Sequence, residues 1–252
     1  MNINVTLDEP LTSNSCVKLV IELIKYILYQ KQQIPFTYDS LTQLQTRLKP
    51  TDRSSSSIKA LINSLKTTSE QLSSEFHLEG CKIKEIAIII GATLVSPKLH
   101  VRVELPPEIL SSQEHFECKH TSRKPLLNLM RSITESPEFQ EAMTLPLNPT
   151  NTFVLLQKSD RSSISNFFLP KPQYIPTMQT TRTFRIKLDH DNPINRDCSC
   201  IQLVRVYQEI SETHNRKESD IQFLDNSTLK NIETPYRWYQ SKEVIKGFKF
   251  VR

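Results

Sequence analysis

The sequence contains very few glycines, and this shortage excludes the common nucleotide-binding loops. Its 252 residues include three glycines, Gly80, Gly91 and Gly247, which lie far apart. Both the P-loop and the dinucleotide-binding fingerprint need several glycines close together, because backbone N–H groups must approach a phosphate. The composition therefore excludes most ATPases, kinases and dehydrogenases that rely on such loops.

The sequence also lacks the features of secreted and membrane proteins. Five cysteines at irregular spacing do not form the even set that is typical of a disulfide framework. Residues 1–10 contain no basic segment followed by an apolar stretch, so they do not resemble a signal peptide. The longest apolar run, residues 86–95, is about half as long as a membrane-spanning helix requires. We expect a soluble intracellular protein with reduced thiols.

Charge of one sign is not concentrated anywhere in the sequence. The formal net charge is +5, and the basic residues are dispersed rather than gathered in one block. A nucleic-acid-binding domain usually carries a concentrated basic stripe, so no nucleic-acid partner is predicted. Apolar residues make up 37% of the chain, which is enough for a real hydrophobic core.

Fragments that could belong to a catalytic or metal site are isolated from one another. The sequence contains neither a Gly-x-Ser-x-Gly nucleophile elbow nor a His-Glu-x-x-His pair. His115, Cys118 and His120 could supply three metal ligands, but a zinc site needs four that converge, and no second short-spaced pair matches them. We therefore expect neither enzyme activity nor a cofactor. A metal-dependent hydrolase using these three residues is a distant alternative.

The first strong pattern predicts a helix over about residues 15–31. Its polar positions form one narrow stripe of Lys18, Glu22, Lys25 and Tyr29, and apolar residues fill most of the remaining circumference. A helix of this kind is buried on most of its sides. We expect it to be the central helix of the domain.

The rest of the chain alternates between helical and strand periodicity. After a polar connector that includes the serines at 54–57, helices are predicted at about 58–76 and 122–133, with a helical turn at 136–143. Strands are predicted at about 83–90, 99–105, 153–157, 184–188 and 201–207. This order indicates an α+β domain with three main helices on one face of a mostly antiparallel sheet. We expect a flexible N-terminus at 1–12, a polar loop at 209–231 and a docked aromatic-rich segment at 232–252.

Three separate segments carry a family resemblance. They are the exit of the first helix, Tyr29-Gln30-Lys31-Gln32-Gln33-Ile34-Pro35, the strand at 86–91 with Ser96-Pro97-Lys98, and the C-terminal Trp238-Tyr239-Gln240 with Lys246-Gly247-Phe248. In this order they resemble the comet family of Mad-two (Mad2) binding proteins, which are divergent HORMA domains. The first segment is specific, and the other two add support through their order along the chain.

The resemblance implies a fold and a function. The fold is a HORMA-like domain of residues 1–252 whose C-terminal segment closes onto the sheet. The function is recognition of the closed conformer of Mad2, followed by its presentation to a hexameric AAA+ remodelling ATPase that dismantles the mitotic checkpoint complex. The implied location is the nucleus and cytoplasm, with the spindle or kinetochore in mitosis, and no membrane partner. An alternative is another HORMA adaptor, in meiotic chromosome-axis or autophagy assemblies, with a different partner.

The resemblance also assigns roles to individual residues. Gln30 matches the partner-facing glutamine of the family, and Met130 stands where the family has an interface aromatic. Tyr26 and Arg131 are their neighbours on the two helices and complete the predicted Mad2-binding set. Pro170-Lys171 matches a Pro-Lys pair that faces the ATPase. Without the resemblance, Gln30 would be interpreted as a solvated glutamine, Met130 as a core residue and Pro170-Lys171 as part of a turn.

Overall fold

The computed structural model describes residues 1–49, 52–78, 81–110, 120–159, 165–176, 182–190 and 235–250. These residues form an α+β, HORMA-like fold in which helices cover one face of a mostly antiparallel sheet, which confirms the predicted class. The helices are α1 (Ser13–Gln30), α2 (Tyr38–Arg47), α3 (Arg53–Phe76), α4 (Arg123–Thr134) and α5 (Pro137–Thr144). The strands are β1 (Asn2–Leu7), β2 (Lys82–Gly91), β3 (Pro97–Glu104), β4 (Asn151–Ser159), β5 (Phe168–Pro170), β6 (Arg182–His190), β7 (Arg237–Ser241) and β8 (Ile245–Lys246).

Helix α1 is the buried central helix that its apolar pattern predicts. It packs against α3, α4 and α5, and most of its apolar side chains are inaccessible to solvent. The helix begins behind Thr12, whose side-chain oxygen accepts a hydrogen bond from the N–H of Ser15. This bond satisfies one of the free backbone donors of the first turn. None of the described helices is long and apolar enough to cross a lipid bilayer.

The segment predicted as a polar connector between the first two long helices is largely helical. Helix α2 lies within it, and the serine run forms the first turn of α3. The prediction is wrong because Ser54 is buried together with Ile58 and Leu61, so tertiary packing outweighs the modest helix propensity of serine.

The N-terminal segment 1–12, predicted to be flexible, begins instead with strand β1. Its burial alternates strictly, with Ile3, Val5 and Leu7 inside and the residues between them exposed. Strand β1 pairs in parallel with β6, a strand from much later in the chain. The prediction is wrong because this alternation marks a half-buried strand once a pairing partner is available.

The sheet runs in the order β1-β6-β3-β2-β4-β7-β5, and β8 also pairs with β4. Strands β1, β6 and β3 are parallel neighbours, whereas the other pairs are antiparallel. The strands predicted at 83–90, 99–105, 153–157 and 184–188 are all present; three have slightly wider bounds, and β3 begins two residues earlier and ends one residue earlier than predicted. The strand predicted at 201–207 and the loop predicted at 209–231 lie outside the described residues.

The C-terminal segment is closed onto the sheet, as predicted. Strands β7 and β8 both pair with β4, and β5 adds a short strand beyond β7. The main core lies between the helices and the inner face of the sheet. A second, smaller apolar cluster lies on the outer face, where the rings of Tyr174 and Trp238 meet edge to face, 5.4 Å apart. Two edges of the sheet, β1 and β5, bound this structure.

Candidate partner-binding face

Helix α4 lies over β1, at one edge of the sheet. The side-chain amide of Asn128 donates hydrogen bonds to the backbone oxygen of Thr6 and to the carboxylate of Asp8, each over 3.1 Å. Pro125, Leu129 and Ile133 point into the protein and are buried. The opposite side of α4 therefore faces outward, and this outer side is called the α4 face below.

The centre of the α4 face is an exposed leucine. Leu127 is 58% exposed, and it lines a shallow groove of about 450 Å³ with Met130 and Arg131, one turn further along the helix. The remaining lining residues are Asp8, Lys124, Asn128, Thr134 and Glu135. An apolar centre with charged residues around it is the usual composition of a protein-binding surface.

Leu127 was not among the residues predicted to bind a partner. The sequence nevertheless contains a signal for it, because Leu127 is apolar at a position outside the buried stripe of an amphipathic helix. A single exposed leucine carries no meaning by itself. The meaning here comes from Met130 and Arg131, which the helical spacing places beside it.

The predicted residues Met130 and Arg131 both line the groove but differ in their exposure to solvent. Met130 is partly buried and packs against the main core while it also lines the groove. Arg131 is exposed at the rim. The sequence allows two interpretations of Met130, core packing and a position at an interface. The structure is compatible with both, because one part of the side chain contacts the core and another part lines the groove.

The other two predicted residues, Tyr26 and Gln30, lie on the last turns of α1. The Tyr26 hydroxyl is 3.1 Å from the side-chain nitrogen of Gln140 on α5, and the same nitrogen donates to the backbone oxygen of Ile133 over 2.8 Å. This chain of hydrogen bonds joins α1, α5 and the end of α4, so Tyr26 supports the helical layer from within. Gln30, one turn beyond it, is half-exposed at the end of α1.

Pro170 and Lys171 lie at the opposite edge of the sheet from α4. Pro170 ends β5, the outermost strand on that side, and both side chains are exposed. The backbone N–H of Lys171 donates to the oxygen of Trp238 over 2.7 Å, which fixes the chain while the ammonium group stays in solvent. A partner on the α4 face would therefore leave Pro170 and Lys171 accessible to a second protein.

The residues considered for a metal or catalytic site do not assemble in the described parts of the chain. His115 and Cys118 lie outside the described residues, and His120 is half-buried beside the start of α1. The described residues hold no cluster of three or more His, Cys, Asp or Glu side chains that could bind a metal ion. Burial raises the pKa of the Cys16 thiol to about 12, so this thiol is not a nucleophile at neutral pH.

The family model described as "p31comet: Mad1 and Cdc20-bound-Mad2 binding" matches residues 2–193, most of the chain. The chain belongs to the p31comet family. This confirms the resemblance to comet proteins that the sequence segments indicate. A human relative named MAD2L1-binding protein is 25% identical over 181 residues, which cover 66% of this chain and 62% of the human protein. The match thus spans less than two thirds of that relative. The family description names binding and no catalytic activity.

Two of the segments that carry the resemblance meet in this p31comet-family structure. The exit of α1 places Gln33 in the interior, where its side chain contacts the C-terminal Gly247. The N–H of Phe248 donates to the oxygen of Gln33 over 2.9 Å, and the N–H of Gly247 donates to the oxygen of Thr150 over 2.8 Å. Further along, the rings of Phe36 and Phe250 meet edge to face, 5.7 Å apart. The first and third segments therefore form one structural unit, which fastens the C-terminal segment.

Proposed function

We propose that this chain is an adaptor that binds closed Mad2 through the α4 face and presents it to a hexameric AAA+ ATPase. The result would be disassembly of the mitotic checkpoint complex and release from the spindle checkpoint. The observation that carries the proposal is the exposed groove around Leu127, Met130 and Arg131 in a chain of the p31comet family. The proposed function implies a location in the nucleus and cytoplasm, and on the spindle or kinetochore in mitosis.

The composition of the α4 face supports a folded protein as its partner. An exposed leucine beside a methionine can enter an apolar pocket, and the thioether of Met130 adapts to pockets of different shape. The charged residues around them, Lys124 and Arg131 with Glu135, would form a polar rim that favours one orientation of the partner. Gln30, on the neighbouring helix, would contribute a polar contact to the same partner.

Leu127→Asp should weaken the complex with closed Mad2 by about tenfold or more, because it places a charge at the apolar centre of the interface. Since Leu127 is 58% exposed, the melting temperature should stay within about 2 °C of the original value. Calorimetric titration against Mad2 locked in its closed form measures the first effect, and thermal unfolding the second.

Val95→Asp is the matched control for this experiment. Val95 is also an exposed apolar residue, at 88%, but it lies in the turn between β2 and β3. Its replacement should leave the affinity unchanged. Equal losses in both variants, unchanged affinity in both, or equal binding of the original chain to open Mad2 would contradict the proposal.

The second surface, at Pro170 and Lys171, is proposed to contact the ATPase. Its support is the match of this pair to the family pattern and its position at the far edge of the sheet from α4. An adaptor needs two separate surfaces if it is to hold its cargo and the ATPase at the same time. The absence of clustered glycines agrees with a division of labour in which the ATPase hydrolyses the nucleotide.

Lys171→Glu should abolish most of the stimulation of the ATPase by this chain while Mad2 affinity stays the same. The reversed charge changes the exposed contact, whereas the backbone hydrogen bond from residue 171 to Trp238 is retained. Lys98→Glu, at another exposed lysine on β3, is the control. The assays are nucleotide turnover in the presence of Mad2 and direct binding to each partner. Unchanged stimulation by Lys171→Glu would assign the ATPase contact elsewhere.

A further inference from the structure

Strand β1 presents an unpaired backbone edge next to the α4 face. Among the described residues it pairs only with β6. The N–H of Arg185 donates to the oxygen of Met1, so Met1 is a residue that bonds to β6. Bonding residues alternate along a strand in a parallel ladder, and therefore Ile3, Val5 and Leu7 also bond to β6. Backbone direction alternates along a strand, which turns the N–H and C=O groups of Asn2, Asn4 and Thr6 away from the sheet.

The sequence of β1 carries none of the features that usually prevent strand addition, and α4 reaches its edge only where Asn128 bonds to the oxygen of Thr6. Proteins protect exposed edges with charged side chains, proline, very short strands or a covering helix or loop. The opposite edge follows this rule, because β5 has three residues and ends in Pro170. Strand β1 has six residues, Asn-Ile-Asn-Val-Thr-Leu, without a charge or a proline.

One outward backbone oxygen of β1, that of Thr6, is already bound, and its partner connects the edge of β1 to α4. The oxygen of Thr6 accepts from the side chain of Asn128, which lines the groove on α4 and also bonds to Asp8. In the described part of the chain, the edge of β1 and the groove therefore form one continuous surface. A strand added beyond β1 would lie beside α4, with every second side chain directed toward the helix layer.

We infer that the partner bound on the α4 face also adds an extended strand to the edge of β1. This inference rests on the proposed function, and the occupant is a segment of closed Mad2. The segment is amphipathic with a period of two residues. Its apolar side chains face Leu127 and Met130, and its polar side chains continue the row of Asn2, Asn4 and Thr6. Main-chain hydrogen bonds supply affinity in such an addition, and the alternate side chains supply selectivity.

Amide hydrogen exchange, read at single residues, tests the inference directly. In the chain alone, the amides of Asn4 and Thr6 should exchange rapidly, whereas those of Val5 and Leu7 are protected by β6. Addition of closed Mad2 should slow exchange at Asn4 and Thr6 by about tenfold or more. If these two amides are already protected in the chain alone, another part of the chain or a second copy occupies the edge, and the inference fails.

Asn4→Pro tests the energetic contribution of the edge. Proline removes an N–H that points outward and no bond to β6, and it is tolerated on an edge strand in this orientation. The variant should fold normally and bind closed Mad2 about tenfold more weakly, while Asn4→Thr, which keeps the donor, should bind like the original chain. Unchanged binding by Asn4→Pro together with a loss in Leu127→Asp would overturn the strand addition and leave the proposed function intact. Unchanged binding by both variants would overturn both.

Discussion

Replacement of Gly247 by alanine should lower the free energy of unfolding by about 2–4 kcal/mol and loosen the C-terminal segment. A Cβ atom at this position would lie 2.7 Å from the side-chain oxygen of Gln33 and 3.1 Å from the backbone oxygen of the same residue. The first distance is too short for a carbon and an oxygen atom in contact. Either Gln33 or the C-terminal segment must therefore move.

Gln33 cannot move without losing several hydrogen bonds. Its side chain is fully buried, and its nitrogen donates to the oxygens of Lys31 and Leu147, each over 3.1 Å. Its side-chain oxygen accepts from the N–H of Thr150 over 2.8 Å. A buried polar group left without partners costs roughly 1–3 kcal/mol, in addition to a similar cost for overpacking. For this reason a single methyl group has a large effect.

Denaturant unfolding and limited proteolysis measure the two consequences. Gly247→Ala should unfold at a lower denaturant concentration than the original chain, and protease should cleave it faster after β7. The neighbouring Lys246→Ala, at an exposed position, should resemble the original chain in both assays. In a Gln33→Ala background the additional cost of Gly247→Ala should shrink, because the side chain it collides with is gone. A stability change within about 0.5 kcal/mol for Gly247→Ala would show that this contact does not fasten the segment.

The second large effect is expected at a buried ion pair that joins α3 to β4. Lys158 and Glu75 are 0% and 4% exposed, and their charged atoms are 2.7 Å apart. The ring of Tyr239, in the C-terminal strand β7, lies 4.7 Å from the same ammonium group. Glu75→Gln should destabilise the protein by about 3–5 kcal/mol, because it removes the negative charge that faces the buried ammonium group at 2.7 Å.

Replacement of both partners should cost much less than replacement of one. Glu75→Leu combined with Lys158→Met removes both charges of this pair, and such exchanges are often close to neutral. The control is the pair Lys66 and Glu70 on the same helix, 3.8 Å apart and 72% and 60% exposed, where Lys66→Ala should change stability by about 0.5 kcal/mol or less. Chemical denaturation of the three variants and the original chain gives the comparison. A double variant as unstable as Glu75→Gln would contradict the argument.

Much of the secondary structure could be predicted because its signals are local. The buried character of α1 follows from its single polar stripe, and β3 follows from strict alternation. The apolar stripe of α4 likewise predicts the helix within about two residues of its observed bounds. Periodicity of this kind depends only on near neighbours in the chain, so it can be recognised without knowledge of the fold.

The errors occurred where a distant partner decides the local structure. Strand β1 needs β6 beside it, and the serine-rich start of α3 needs the core that buries Ser54 and Ile58. The candidate site has the same dependence. Met130 and Arg131 could be assigned from the family resemblance, but Leu127 became a candidate only once α4 was placed at the edge of the sheet, with its outer side uncovered by the described residues.

The amino-acid pattern alone was sufficient for the fold class, the central helix, the lack of a nucleotide loop and the kinship with comet proteins. The three-dimensional arrangement was needed to bring Gln33 to Gly247, to set the α4 face beside β1, the edge strand among the described residues, and to separate both from Lys171. The reason is that periodicity and motifs record interactions between near neighbours, whereas these contacts join residues far apart in the chain. Which distant elements become neighbours is decided only when the whole core packs.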